Sequence, residues 1–87
     1  MTESELFDME LEAELSRYNR DMLERDIERI ALAMNKATSH GRTSCRVLNI
    51  PPLIHKIYME ATGDYHVEPL KITKKGNTIE GIKISWN

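Results

Sequence analysis

Three histidines, one cysteine and a scatter of basic residues are the side chains of this 87-residue chain whose types could do chemistry. His40, His55 and His66 are the candidates for metal ligation or proton transfer. No two of them stand three or four residues apart, the spacing that sets two ligands on one helical face. No second cysteine or histidine makes a zinc pair with Cys45. The spacing therefore predicts structural histidines, with no metal and no other cofactor. Cys45 lies between Thr43 and Val47 in an alternating stretch. A reactive thiol needs an open, electropositive setting, whereas a buried free cysteine behaves as a small hydrophobe.

Ser39-His40-Gly41-Arg42 is the one string that pairs a candidate general base with a phosphate clamp, as a small ribonuclease would. It is similar to a string in the HicA toxins, where it lies between strands of a different topology. Small polar residues followed by glycine also end helices, and that role accounts for Thr38 to Gly41 without catalysis. The expectation is a protein that is not an enzyme, with a ribonuclease using His40 as the alternative.

Arg42, Arg46, Lys56, Lys71, Lys74, Lys75 and Lys83 could form a face that neutralises phosphates. Arg42, Arg46, Lys74 and Lys75 are the nucleic-acid or anion contacts this predicts, the two lysines on a hairpin tip. Tyr58 and Tyr65 could stack on bases but also suit a core. No aromatic string of the RNA-recognition kind and no helix-turn-helix pattern accompanies them. Charge is segregated along the chain. Glu3, Glu5, Asp8, Glu10, Glu12 and Glu14 stand among the first sixteen residues with no basic residue, although the net charge is only −2. Carboxylates favour a helix N-terminus, but six exceed that need and also fit an exposed acidic arm.

The elements that must position these residues follow from punctuation and period. Thr2-Glu3-Ser4-Glu5 fits a capping box. From there to about Thr38 no proline or glycine intervenes and good helix formers dominate, until Gly41 supplies a stop. The apolar stripe changes face on the way. Phe7, Leu11, Leu15, Tyr18 and Met22 form one series, and Leu23, Ile27, Ile30, Met34 and Ala37 form another, roughly 120° round from it. A straight helix would be about 50 Å long, against a radius of gyration of about 12 Å for a domain of this size.

Either the helix breaks near Asn19-Arg20-Asp21 into an antiparallel pair, with Asp21 as the cap, or residues 1–22 project as an arm. The balance of the pattern favours projection. Arg42 to Ile50 then reads as a strand, and Pro51-Pro52 opens a helix with Leu53, Ile54, Ile57, Tyr58 and Ala61 on one face. Gly63 closes it. Tyr65 to Thr73 is a second strand, placed at an edge or a bulge by Pro69. Lys74-Lys75-Gly76-Asn77 is a turn, and Ile82, Ile84 and Trp86 alternate in a last strand. The prediction is one α+β domain over 1–87, a long N-terminal helix followed by β-α-β-β, with a terminal hairpin and a small helix-covered sheet.

Gly41, Val47, Gly63-Asp64-Tyr65-His66-Val67 and Ile82-Lys83-Ile84-Ser85-Trp86 resemble a loosely defined class of short bacteriophage proteins of unknown function that end in an Ile-Ser-Trp strand. The resemblance covers the second half of the chain. It implies a phage accessory, host-inhibitory or virion-associated protein, in the host cytoplasm or the virion, and supplies no catalytic residue.

The residues themselves predict a non-enzymatic interaction protein. Its contacts are Phe7, Leu11, Leu15, Tyr18 and Met22, and its partner is a second copy or a host or virion protein. Nucleic-acid binding is the alternative. A third reading is an oligomer that sequesters a small anionic ligand between subunits. No apolar run approaches the roughly 18 to 20 residues that span a bilayer, so no membrane role is expected and a cytoplasmic protein is.

Overall fold

The computed structural model describes residues 2–86, in the order α1 (Glu3–Ser16), α2 (Arg20–Ser39), β1 (Ser44–Leu48), α3 (Pro52–Thr62), β2 (His66–Lys74) and β3 (Asn77–Ser85). The chain is α+β, as its sequence predicts, but the N-terminal helix is two helices. Arg17 and Tyr18 close α1 with hydrogen bonds to Glu14 and Leu15 carbonyls. Asn19 then takes an extended conformation, and its side-chain oxygen accepts from Met22 N at 2.9 Å. The cap is thus Asn19, not Asp21, and an asparagine cap alone can restart a helix where no glycine or proline interrupts it. α1 does not project freely. Its contacts are with α3, so it does not form the antiparallel pair with α2 either.

The other boundaries follow local chemistry. Thr2 Oγ1 accepts from Glu5 N at 3.2 Å and starts α1. At the end of α2, Gly41 takes φ 73°, Gly41 N donates to Thr38 O, and Arg42 N donates to Ala37 O at 2.9 Å. This Schellman arrangement satisfies the Ala37 and Thr38 carbonyls at the helix end and fixes Arg42 beside it. Lys75 and Gly76, both at positive φ, make the two-residue turn between β2 and β3.

The three strands form one antiparallel sheet in the order β1-β3-β2. Val47, Val67, Ile82 and Ile84 share one face and bury against Ile30 of α2 and Met59 of α3, with Ile50 alongside. Cys45, Tyr65 and Trp86 pack at the rim of this cluster. Each large side chain fully buried here contributes roughly 1.5–3 kcal/mol. The opposite sheet face has Arg46, Lys83 and Glu68 in one row, and Leu48, Gly81 and Leu70 in the next.

The buried face of α3 differs from the expected one. Pro52, Leu53, His55 and Met59 are buried, while Ile57 and Tyr58 are exposed. The helix is turned so that His55 meets polar partners described below and Met59 reaches the sheet. Among the described residues, no helix is long and apolar enough to cross a membrane.

Candidate functional site

α2 runs beside β1 and is held there at both ends. Near the helix end, Arg42 N binds Ala37 O. At the other end of β1, Arg29 Nη2 donates to Leu48 O at 2.8 Å. Between these ties lies a groove of about 820 Å³. Its helix wall is Ala33, Lys36, Ala37 and His40, one face of the last turns of α2, where two alanines leave the space open. Its other wall is Arg42, Ser44, Cys45 and Arg46, with Lys83 reaching in from β3.

Five basic side chains therefore surround the groove, and among the described residues no carboxylate side chain lines it. Lys36, His40 and Arg42 also stand at the negative end of the α2 dipole, where positive charge is favoured. Arg46 and Lys83 lie away from that helix end; they are neighbours across β1 and β3, with Glu68 of β2 on the other side of Lys83.

The groove gathers only part of the basic set read from the sequence. Arg42 and Arg46 meet, but Lys74 and Lys75 sit at the far hairpin turn, and Lys56 is engaged by Glu60 and by Val67 O at 3.0 Å. Lys71 stands beside Glu80. The single basic face expected from these residues is not formed, because the strand register carries Lys74 and Lys75 to the opposite end of the sheet from Lys83. Lys36 was not singled out by sequence. Its signal was the Ala33-Lys36-Ala37-His40 spacing, which puts small and basic residues on one helical face. In the Ser39-His40-Gly41-Arg42 string, Ser39 Oγ donates to Lys36 O at 2.8 Å. Burial raises the Cys45 thiol above its ordinary range, so thiolate chemistry in the groove is disfavoured near neutral pH.

A second polar constellation lies inside the fold. Tyr18 donates to Asp26 through a short hydrogen bond, and its oxygen lies 2.7 Å from His55 Nε2. With the Tyr18 O–H directed at Asp26, His55 must donate from Nε2 to the phenol oxygen, leaving Nδ1 buried without a partner among the described residues. Asp26 and His55 are at most 1% exposed. Arg25 Nε and Arg29 Nη1 stand 3.4 and 3.7 Å from the other Asp26 oxygen.

Burial lowers the His55 pKa against the opposing pull of Asp26. Burial, helped by Asp26, raises that of Tyr18. Together these groups join the α1–α2 turn to α2 and α3, and through Arg29 to the end of β1. Sequence reasoning missed Asp26. It stands between Leu23, Ile27 and Ile30 on an apolar face, which was the available signal.

The five residues expected to form an interaction stripe do not share one exposed face. Phe7, Leu11, Tyr18 and Met22 are half-buried, while Leu15 is exposed. Leu6 and Met9 join it as exposed apolar residues of α1. Among the described residues, no group of three or more histidine, cysteine or acidic side chains could hold a metal ion. Comparison of the chain with protein-family models, with curated proteins and with solved structures gives no match.

Proposed function

We propose that this chain is a non-enzymatic docking protein that takes an anionic partner into the groove between α2 and β1. The observation that carries this reading is charge segregation. Lys36, His40, Arg42, Arg46 and Lys83 line one groove with no carboxylate side chain among the described residues that line it, on a chain whose net charge is −2. A low-dielectric wall on each side strengthens such a cluster relative to the same charges scattered on an open surface. The test is fluorescence anisotropy with two labelled probes, an oligothymidylate and a glutamate-rich peptide, at low and at physiological salt. At least one probe should bind, and binding should weaken as salt rises. The Arg42→Ala/Arg46→Ala double variant should lose binding, and Lys74→Ala/Lys75→Ala should keep it. A wild-type protein that binds neither probe at low salt rejects the reading.

Self-association through α1 is a second function, favoured by Leu6 and Met9, which are 47% and 56% exposed among acidic residues and lie about 60° apart around the helix. Exposed apolar neighbours on one helix face mark contact sites more often than isolated ones do. Native mass spectrometry decides it: a multiple of the monomer mass, lost on replacing Leu6 and Met9 by lysine, supports it. A monomer at every concentration removes it. The phage-protein resemblance names no chemistry and favours neither function.

A further inference from the structure

The sheet has two edges, and they are finished differently. On β2, the hairpin register turns the main-chain groups of Val67 and Pro69 outward. Val67 O accepts from Lys56 Nζ at 3.0 Å, and Val67 N faces Glu60 at 3.5 Å, so α3 occupies that stretch. Pro69 has no N–H to offer. On β1, hydrogen bonds from Trp86 N to Thr43 O and from Asn49 N to Glu80 O fix which residues face β3. The alternation of an antiparallel ladder then turns the N–H and C=O groups of Ser44 and Arg46 away from it. Leu48 O, next in that outward series, is taken by Arg29. Ser44 and Arg46 remain open, and both line the basic groove.

From this, we infer that the occupant of the groove is an extended acidic polypeptide segment, which adds to β1 as a fourth strand. The inference rests on the proposed docking function of the groove. β1 is five residues long, so the contact would span about 17 Å at about 3.4 Å per residue.

Side chains of an added strand point alternately to its two sides. On one side they meet Lys36 and His40 of α2, and on the other Arg46 and Lys83 of the open sheet face. Both sides are basic, so carboxylates are accommodated along the whole segment. A second copy of β1 is a poor occupant, because pairing it antiparallel would bring Arg42 and Arg46 of each chain close to those of the other. Like charges facing across strands are destabilising, and charged edge residues block self-pairing in this way. A nucleic acid would meet the same cations but would leave the main-chain groups of Ser44 and Arg46 unused. Strand addition uses both.

The experiment compares four probes on the full-length protein: a capped peptide of alternating glutamate and valine, the same peptide N-methylated at one or at the other set of alternate residues, and an oligothymidylate. Amide hydrogen exchange is read by NMR at Ser44 and Arg46. The unmethylated peptide should bind and slow exchange at both amides by about tenfold or more. Methylation in the register that removes donors to β1 should abolish binding, although every carboxylate is kept.

Equal binding by both methylated registers and the parent peptide, or unchanged exchange at Ser44 and Arg46 under saturation, would overturn strand addition while the groove still binds anions. Binding of the oligothymidylate alone would make the partner a nucleic acid and overturn the inference, again leaving the docking function standing. Binding of no probe overturns both.

Discussion

Glu14 of α1 caps α3 across the chain: its Oε1 lies 3.1 Å from Leu53 N, and the same oxygen is 3.1 Å from Ile54 N. α3 begins with Pro51 and Pro52, and Pro51 provides no side-chain cap. The first free N–H groups of the helix therefore find their acceptor in another element. Glu14→Ala should lower stability by about 1.5–3 kcal/mol, the range for hydrogen bonds to a charged group. Glu14→Gln keeps an acceptor and should lie between the two. Urea denaturation measures both, and a Glu14→Ala protein as stable as the wild type would show that water caps α3 equally well.

His55 gives a pH dependence of defined sign. Its folded pKa is lowered by burial, so the unfolded chain binds the proton more readily than the folded one. Stability from this group is complete above the unfolded value of about 6.5 and is lost as pH falls through the folded value. Glu14 acts oppositely, since burial raises its pKa over the pull of the Ile54 and Leu53 N–H groups. Its contribution is complete below the unfolded carboxylate value of about 4.3 and declines as pH rises through the folded one. The His55 contribution should therefore fall from pH 7.5 to 5.5 against the opposite contribution of Glu14, and a His55→Gln variant should lose less stability than the wild type over that window. An unchanged slope would assign the acid sensitivity to other groups.

Gly81 is required by contact. A Cβ there would collide with Val47 O and lie 2.8 Å from Leu48 Cα, both main-chain atoms of the paired strand. The β1–β3 pair would have to separate to admit it. Gly81→Ala should cost at least the 1–3 kcal/mol typical of overpacking, read as a lower thermal midpoint. Gly76→Ala meets no such atom but keeps a positive φ, so its loss should be smaller.

Cys45 is a reporter for the groove. With its thiol raised by burial, its reaction with a disulfide reagent at pH 8 should be at least about tenfold slower than in the unfolded chain. Saturation of the groove with a bound probe should slow it further. A reaction as fast as that of the unfolded chain would place the thiol in open solvent.

Most of the elements were legible because local chemistry decides them. The Thr2 cap, the Gly41 stop, the proline start of α3, the Lys75-Gly76 turn and the edge position of Pro69 are each written in a few adjacent residues. The break at Asn19 was harder to read. A capping asparagine inside a run of helix formers competes with continuation of the helix, and the contacts of α1 with α3 decide the outcome. The same limit applies to the polar interior. Asp26 and His55 are 29 positions apart, and what makes burying them tolerable is Tyr18, placed by the turn after α1, together with Arg25 and Arg29 at the other Asp26 oxygen. The groove was half legible. Arg42 and Arg46 stand out in sequence, whereas the contributions of Lys36 and Lys83 depend on how α2 and β3 pack around β1.

The unequal finishing of the sheet edges sets a limit on assembly. Lys56, Glu60 and Pro69 close the Val67–Pro69 stretch of β2, while the register turns Lys71 and Thr73 outward beyond it. A strand laid along that edge would find main-chain partners at its hairpin end alone, so continuous edge-to-edge growth is interrupted there.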